Sequence, residues 1–275
     1  MKTNDNPLLH VQRIEGDIVS FLSESGTVFK EFNKQDSGCI SYGVHSEGQD
    51  WFVKYAEDSE AVRYLKNAHV FNQLVEHPRL PKLLNAFHSE NGFALVYEWV
   101  NGEVLSSPDF PGKEGRNRPE SSHYRFRQLP LPKITSALTT VYEVHAYLES
   151  KGFIAVDFYD GGMIYDFEED KLHLCDFDYY TKGSFILEKD RLFGSTRFMA
   201  PEEFVKGSII DGVTNVFTMG ATAFVFLAEE GSRELKDWKA SEELYRIVLK
   251  AVSPDRNNRF ESVDVFYQEW LKALN

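Results

Sequence analysis

The first part of the chain carries short apolar runs separated by small and polar residues, a pattern that predicts β-strands. Ile18–Leu22 and Thr27–Phe32 flank Ser25-Gly26 and predict a strand, a turn and a strand. Cys39–Val44 and Asp50–Tyr55 are separated by a polar turn and predict a second pair of strands. These runs favour a sheet near the N-terminus.

One helix interrupts this β-rich region. Apolar residues recur at roughly helical spacing across Glu60–Val75, with Ser59 as a candidate N-cap and His77-Pro78 as the stop. Leu80–Phe87 and Phe93–Trp99 then predict two further strands. The first hundred residues are therefore expected to be mostly β with one helix.

The rest of the sequence has a different character. Ser106–Pro132 is rich in Pro, Ser, Gly and Arg without a sustained period, which predicts a long surface loop or insertion. The elements predicted after it are a helix over Ile134–Ser150, short strands around Met163–Tyr165 and Leu172–Leu174, and mainly helix from Pro201 onward, including a buried apolar helix near Phe217–Leu227. The pattern predicts an α+β protein with two lobes, residues 1–100 and 101–275.

Composition narrows the possible partners and the compartment. The 275 residues carry a net charge of -13, which disfavours nucleic acids and anionic membranes because both attract basic surfaces. Met1–Leu9 has no apolar run, so no signal peptide is expected, and no run is long enough to span a bilayer. Cys39 and Cys175 lie in apolar or strand-like sequence and are interpreted as buried reduced thiols. A cytoplasmic location follows as an expectation.

Five features that could carry chemistry occur in a fixed order. Lys54 lies inside an apolar strand, where an ammonium group is costly unless it is paired. Asp157 follows a short apolar run after a helix, and Asp176 stands at the end of a predicted strand. The stretches Gly194–Glu202 and Ser253–Phe260 complete the series. Each feature is weak alone, but their order is much more specific.

Together these residues resemble the protein kinase family, in its bacterial Ser/Thr branch, from about Cys39 to Leu271. Lys54 matches the family's strand lysine, Asp157 its catalytic-loop aspartate, and Asp176 the aspartate of its magnesium-binding element, here Asp-Phe-Asp. The resemblance implies a bilobal kinase-like fold with a β-rich N-lobe and a mainly helical C-lobe. It also implies ATP and Mg²⁺ as cofactors and a protein as the substrate.

The resemblance assigns a role to each matched residue. Lys54 would hold the α- and β-phosphates, Asp176 would bind Mg²⁺, and Asp157 would orient the acceptor hydroxyl and take its proton. The other residues implied in ATP binding are Gly38, Glu98, Val100 and Glu103.

Three further residues are implied in structural roles. Glu202, in the intact Ala-Pro-Glu element, would form a buried bidentate pair with Arg259. Asn215 stands where the family usually has an aspartate that braces the catalytic loop.

The sequence also departs from the family's pattern. Ala155-Val156 replaces the His-Arg pair before the catalytic aspartate, Tyr159 replaces a lysine, and Gly162 replaces a metal-binding asparagine. The Gly-rich phosphate loop is reduced to two glycines within Asp36–Gly43, so phosphates would receive fewer backbone N–H contacts. No glutamate partner for Lys54 is evident, and Asn67 lies near that register.

A replacement for the missing metal ligand is expected among nearby carboxylates. Asp160 and Asp178 are both candidates, because glycine offers no side chain at position 162. Asp178 is favoured slightly, since a residue two positions after Asp176 on an extended stretch would point to the same side.

Three functions remain open at this stage. An ATP-dependent Ser/Thr protein kinase is favoured by the Ala-Pro-Glu element and Arg259, which in the family support the peptide platform. A pseudokinase that binds without catalysing is favoured by Tyr159 and Gly162. A small-molecule kinase is the third, with Ser106–Pro132 as a substrate lid.

A basic segment lies within Ser106–Pro132 of this acidic chain. It is either a solvated loop or a surface for an acidic partner or substrate. Its residues are Lys113, Arg116, Arg118, Arg125 and Arg127.

Overall fold

A five-stranded antiparallel sheet forms the centre of the first unit, Met1–Asn101, in a computed structural model that describes residues 6–34 and 37–274. The strands are arranged in the order β1-β2-β3-β5-β4. The elements of this unit are α1 (Pro7–His10), α2 (Ile18–Ser25), β1 (Thr27–Phe32), β2 (Ile40–Ser46), β3 (Gln49–Ala56), α3 (Ser59–Leu74), β4 (Leu83–His88) and β5 (Phe93–Glu98).

The alternation of side chains along β3 assigns each residue to one face of the sheet. Val53 and Tyr55 belong to a core that includes the N-terminal helices. Ala56 belongs to the core on the opposite face, which is packed against α3. Lys54 therefore lies on the α3 side of the sheet, paired with Ser41 of β2 and Leu95 of β5.

The predicted strand at Ile18–Leu22 is wrong, because this segment belongs to the helix α2. Asp17 caps the helix, and its Oδ1 accepts a hydrogen bond from Ser20 N at 2.9 Å. Ile18 and Leu22 lie one turn apart and are both buried. The cap and this helical spacing outweigh the β preference of the Ile-Val pair.

Helix α3 begins as expected but uses a different cap. The N-cap is Asp58, whose Oδ1 accepts hydrogen bonds from Glu60 N at 2.9 Å and Ala61 N at 3.1 Å. The prediction of Ser59 as the cap is therefore wrong by one residue. Asp is as good an N-cap as Ser, so the sequence pattern did not distinguish them.

The second unit, Gly102–Asn275, is mainly helical, so the α+β fold class is confirmed. Single-turn 3₁₀ segments include Asp160–Gly162 and Pro201–Phe204. The helices and strands are β6 (Glu103–Val104), α4 (Gly112–Arg116), α5 (Ser122–Arg127), α6 (Leu131–Ser150), β7 (Phe153–Ile154), β8 (Met163–Asp166), β9 (Lys171–Leu174), β10 (Thr181–Lys182), β11 (Phe185–Ile186), β12 (Ile209–Ile210), α7 (Gly212–Leu227), α8 (Glu242–Ala251) and α9 (Val263–Leu274).

The prediction of a long surface loop over Ser106–Pro132 is wrong. The segment contains α4 and α5, and Ser121 caps α5 by accepting a hydrogen bond from Tyr124 N. Phe126 is fully buried, with its ring centroid 4.9 Å from those of Tyr165 and Phe226. The helices are too short to produce a period in the sequence, and tertiary burial stabilises them.

Helix α7 confirms the predicted buried helix. Every residue from Thr214 to Leu227 is buried. Between Pro201 and Leu274 the regular elements are helices and 3₁₀ turns apart from β12, which pairs with β11. No helix within residues 6–34 and 37–274 combines the length and apolar character needed to cross a membrane.

The assignment of the α3 cap can be tested by a pair of alanine substitutions. Asp58→Ala removes the acceptor for two backbone N–H groups and should lower the free energy of unfolding by about 1 kcal/mol. Ser59→Ala is the matched control and should change it by less than about 0.5 kcal/mol. Urea denaturation measures both, and an equal loss in the two variants would contradict the assignment.

Candidate active site

The β8–β9 hairpin joins the loop that carries Asp157 to the loop that carries Asp176 in the second unit. The turn Asp160–Gly162 leads directly into β8, and β9 ends two residues before Asp176. Across the open end of the hairpin, Gly162 O accepts a hydrogen bond from Cys175 N at 2.9 Å. Two segments that are distant in sequence are thus joined beside the two aspartates.

Both aspartates have backbone conformations that residues other than glycine rarely adopt. The φ angle is 62° at Asp157 and 67° at Asp176. Such residues cost of order 1–3 kcal/mol each, and they cluster at functional sites. Glu47 and Asp170 adopt the same conformation in exposed turns, so this strain accompanies the site and does not identify it.

Tyr159 lies close to both carboxylates. Burial raises the pKa of Tyr159, and the negative charges of Asp176, Asp157 and Asp160 raise it further. Its ring packs over Gly161, where an added Cβ would lie 2.4 Å from a ring carbon. A neutral phenol therefore occupies the position at which the sequence comparison leads us to expect a lysine.

Asn215 holds the backbone before Asp157 in place. Its Oδ1 accepts a hydrogen bond from Ala155 N at 2.8 Å, and its Nδ2 donates to Ala155 O at 2.7 Å. One buried amide side chain thus satisfies both backbone groups of a single loop residue. An aspartate could accept the first hydrogen bond but could not donate the second.

Glu203 lines a small cavity together with Asp157, Gly194 and Thr218. The side chain is buried, and its Oε2 accepts a hydrogen bond from Ala200 N at 2.5 Å. Burial, aided by the charges of Glu202 and Asp157, raises the pKa of Glu203 to about 7. Sequence analysis missed this carboxylate because only the fold reveals its burial.

Glu202 and Arg259 form a bidentate ion pair. Arg259 Nη1 donates to Glu202 Oε1 at 2.6 Å, and Nη2 donates to Oε2 at 2.9 Å. The guanidinium is fully buried, and it also donates through Nε to Ser253 O at 2.8 Å. The pair joins the Pro201–Phe204 turn to the segment before α9.

Asp160 is bound by other protein groups. It is fully buried, and Arg197 Nη2 donates to Oδ1 at 2.7 Å and Oδ2 at 2.8 Å. His123 Nδ1 lies 3.0 Å from Oδ2. Burial alone would raise the pKa of Asp160, but His123 and Arg197 hold it below its usual value. Asp160 is therefore the ion-pair partner of Arg197.

The backbone after Asp176 is not extended, contrary to the expectation that favoured Asp178 as a metal ligand. Asp176 is in the left-handed region, and a turn follows in which Tyr180 N donates to Phe177 O at 3.1 Å. Asp176 is exposed, whereas Asp178 is 4% exposed. The alternation that would place both carboxylates on one side therefore does not apply.

Across the described parts of the chain, no three or more His, Cys, Asp or Glu side chains are arranged to hold a metal ion together. A magnesium ion at Asp176 would thus depend on oxygen atoms from a nucleotide and water. This is the usual manner in which proteins bind Mg²⁺, through one or two carboxylates and substrate phosphates.

In the first unit, aromatic side chains lie on the face of the sheet that carries Lys54. Lys54 is only 8% exposed, and Phe52 precedes it by two residues on the same strand face. The ring centroid of Phe52 lies 6.4 Å from that of Tyr97 and 6.5 Å from that of Trp99. Trp99 in turn packs edge-on against Phe29 at 5.0 Å.

A glycine makes this aromatic cluster possible. A Cβ at Gly43 would lie 2.6 Å from the Phe29 ring, so only glycine leaves room for it in this arrangement. Aromatic rings with partly exposed faces can stack on a nucleobase. Sequence analysis missed the cluster, although the two-residue spacing of Phe52 from Lys54 and of Tyr97 from Trp99 could have indicated it.

The other expected nucleotide-binding residues have varied surroundings. Glu98 ends β5, and its Oε1 accepts a hydrogen bond from Lys82 N at 3.0 Å, while Val100 follows it in irregular backbone. Gly38 has a φ of 72°, and Asp36 of the expected phosphate loop lies outside the described residues. Glu103, in the second unit, forms an ion pair with Arg125.

Removing one partner of the buried ion pair should be strongly destabilising. Glu202→Ala leaves the Arg259 guanidinium buried without its carboxylate, which should cost on the order of 3–5 kcal/mol in the free energy of unfolding. Glu234→Ala breaks the exposed pair with Lys236 and should cost less than about 1 kcal/mol. Similar melting temperatures for Glu202→Ala and the parent would contradict this prediction.

The buried Glu203 should make stability depend on pH. Because its folded pKa is raised, its neutral form is favoured in the fold, and this contribution is lost as pH rises from about 4.5 through 7. Glu203→Gln is neutral throughout, so its stability relative to the parent should increase by roughly 3 kcal/mol between pH 5 and 8.5. Exposed Glu188→Gln should show no such change in chemical denaturation across this range.

Comparison with known proteins supports the resemblance to protein kinases through a distant relative. No family model matches the chain. The chain is 27% identical, over 222 residues, to serine/threonine-protein kinase D of Synechocystis sp.. The match covers 74% of this chain and 40% of that protein, so the chain spans less than half the length of the relative.

Proposed function

We propose that this chain is an ATP-dependent phosphotransferase, a divergent protein kinase that transfers the γ-phosphoryl group of ATP to a Ser or Thr hydroxyl of a protein. The main support is the β8–β9 hairpin, which joins the loop of Asp157 to the loop of Asp176, together with the effect of both carboxylates on the pKa of Tyr159. The similarity to a protein named as a serine/threonine kinase points in the same direction.

In this proposal the residues of the second unit carry the chemistry. Asp157 accepts the proton of the acceptor hydroxyl as the new P–O bond forms. Asp176 offers an exposed carboxylate to Mg²⁺, which fits the preference of that ion for oxygen ligands. When bound, Mg²⁺ neutralises charge on the phosphates. Asp178 is kept as the proposed additional ligand, and Asp160 is left out because Arg197 and His123 already bind it.

The first unit would contribute nucleotide binding. Lys54 would contact the α- and β-phosphates, with backbone N–H groups near Gly38 contributing further contacts. The backbone of Glu98 and Val100 would hydrogen-bond to adenine, and the aromatic cluster around Phe52 would stack on it. Glu103 would bind ATP only after its ion pair with Arg125 rearranges.

A nucleotide-binding module without transfer activity is the second candidate. Tyr159 provides no positive charge near the two aspartates, and Gly162 provides no metal-binding side chain. Both differences reduce the neutralisation of phosphate charge that phosphoryl transfer requires. The burial of Phe126 gives no support to the third candidate, in which residues 106–132 act as a substrate lid.

Binding of ATP and transfer of phosphate can be separated experimentally. Mg-ATP at about 100 times its dissociation constant should stabilise the parent by roughly 2.7 kcal/mol, measured by thermal shift. Asp157→Asn should keep this shift but abolish phosphate transfer to protein, because Asp157 contacts the acceptor and not the nucleotide. Asp176→Asn should weaken the shift in the presence of Mg²⁺, and Asp178→Asn should raise the Mg²⁺ concentration needed for transfer.

The control for these charge changes is Asp264→Asn, an exposed substitution on α9 that should leave both measurements unchanged. Absence of a thermal shift at millimolar Mg-ATP would argue against both candidate functions. A clear shift without any transfer by the parent would favour the binding module. An Asp178→Asn variant with an unchanged Mg²⁺ requirement would remove only that ligand from the proposal.

A further inference from the structure

A cavity of about 480 Å³ lies in the second unit, between α8 and the loops on either side of this helix. Its lining combines apolar side chains with cationic ones and, among the described residues, includes no carboxylate. The apolar residues include Leu249, Val252 and Pro254, and the cationic ones are Arg233, Arg246 and Lys250. The cavity is therefore a local excess of positive charge on a chain whose net charge is -13.

Helix α8 places two of these cations on one face. Arg246 and Lys250 are one turn apart, and like charges at this spacing repel each other and weaken a helix slightly. Arg246 also forms an ion pair with Glu242 at 3.0 Å, but both side chains are exposed, and such pairs contribute little to stability. The stability of the helix therefore does not explain why two cations stand beside the cavity.

Aromatic rings hold two of the cations in place. Arg233 Cζ lies 5.1 Å from the ring centroid of Phe217, and Lys250 Nζ lies 4.2 Å from that of Phe260. A ring face attracts a cation without supplying an oxygen acceptor for its N–H donors. Among the side chains that the structure describes, no carboxylate forms an ion pair with Arg233 or Lys250. Both cations are thus positioned at the cavity with donors available to an external anion.

Two acidic residues close to the cavity in sequence have other partners. Glu234 forms an ion pair with Lys236 at 2.7 Å. Asp255 caps the turn that follows it, and its Oδ1 accepts a hydrogen bond from Asn257 N at 3.0 Å. Neither carboxylate lines the cavity, so neither neutralises its positive charge from within.

The cavity is open to solvent, which determines what kind of ligand fits it. Its three cationic side chains are exposed, and Leu249 is 41% exposed. A pocket for a free small molecule normally buries most of the surface of its ligand. An open cavity of this size instead suits one side chain of a longer segment, whose neighbouring residues remain at the edge among the cations.

We propose that this cavity docks an acidic peptide segment of a partner protein. One apolar side chain of the segment packs against Leu249, Val252 and Pro254, and the carboxylates on either side of it bind Arg233 and Lys250. Clusters of basic side chains are a recurring means of recognising acidic motifs. Because the chain as a whole is acidic, it repels such a segment elsewhere and attracts it at the cavity. This docking goes beyond the proposed kinase function and does not depend on it.

The test measures binding of three fluorescein-labelled nine-residue peptides to the full chain by fluorescence anisotropy, without nucleotide. The first peptide has a central leucine with glutamate at all other positions. The second replaces every glutamate by glutamine, and the third replaces the leucine by serine. The parent should bind the first peptide about tenfold more tightly than either of the others, because each loses one of the two kinds of contact. Equal binding of the first peptide and either of the others overturns the proposal.

Variants of the cavity separate its two parts. Arg233→Gln should weaken binding of the first peptide about fivefold, the upper end for an exposed ion pair, and Arg233→Lys should restore most of the loss because it keeps the charge. Leu249→Ser should remove the preference for leucine over serine and keep the preference for glutamate over glutamine. Loss of both preferences in Leu249→Ser with an unchanged melting temperature would contradict this division.

Lys206→Gln is the matched control, because Lys206 is an exposed lysine of the same unit that does not line the cavity. Unchanged binding by this variant supports the proposal, and a loss equal to that of Arg233→Gln overturns it in favour of general charge attraction. Sedimentation velocity of the parent tests a second copy of the chain as the occupant. Self-association that Arg233→Gln abolishes would overturn the assignment to a partner protein.

Discussion

The antiparallel pairing of β8 with β9 is the constraint on which the candidate active site depends. The hydrogen bond from Cys175 N to Gly162 O continues this pairing past the last paired residues, Met163 and Leu174. It fixes the distance between the loop of Asp157 and the loop of Asp176, each of which has a strained residue at its functional position. Strain of this kind persists only where surrounding contacts over-determine the backbone. The two hydrogen bonds between Asn215 and Ala155 supply such contacts to the backbone before Asp157.

The charges near Asp157 and Asp176 differ from those that the proposed phosphoryl transfer would favour. The two converging aspartates would face a highly anionic ligand, and the local protein contributes a neutral phenol at Tyr159 instead of a cation. In the proposed function, a bound Mg²⁺ ion would have to supply much of the neutralisation. A site of this composition should depend steeply on the Mg²⁺ concentration. Arg197 carries a positive charge in this region, but it already forms an ion pair with Asp160.

Much of the framework was predictable from the sequence, because it depends on local patterns. Strands such as β2, β3 and β5 are short, largely apolar segments bounded by polar turns, and α7 is a long, mostly apolar run. The helix at Ile18 was not predictable, because its cap and its buried face matter only once Leu8 and the sheet are present to cover it. The short helices α4 and α5 likewise depend on the burial of Phe126.

The surroundings of the site residues were predictable only in part. The motif positions pointed to Asp157, Asp176, Glu202 and Arg259. The surroundings of Asp160 could not be inferred, since nothing in the sequence connects it with Arg197 or His123. An aspartate in a loop can bind a metal or an arginine, and only its neighbours in space decide between them.

The Asp160–Arg197 pair has a consequence for when the segment around Arg197 becomes ordered. Both residues belong to the chain, so the ion pair forms as soon as the second unit folds. No enzyme is needed to modify either residue first. Because Asp160 has a lowered pKa and arginine stays protonated, acidification or alkalinisation near neutrality does not release it. Protonation near neutral pH is therefore not a means of releasing the segment around Arg197 from the loop of Asp160.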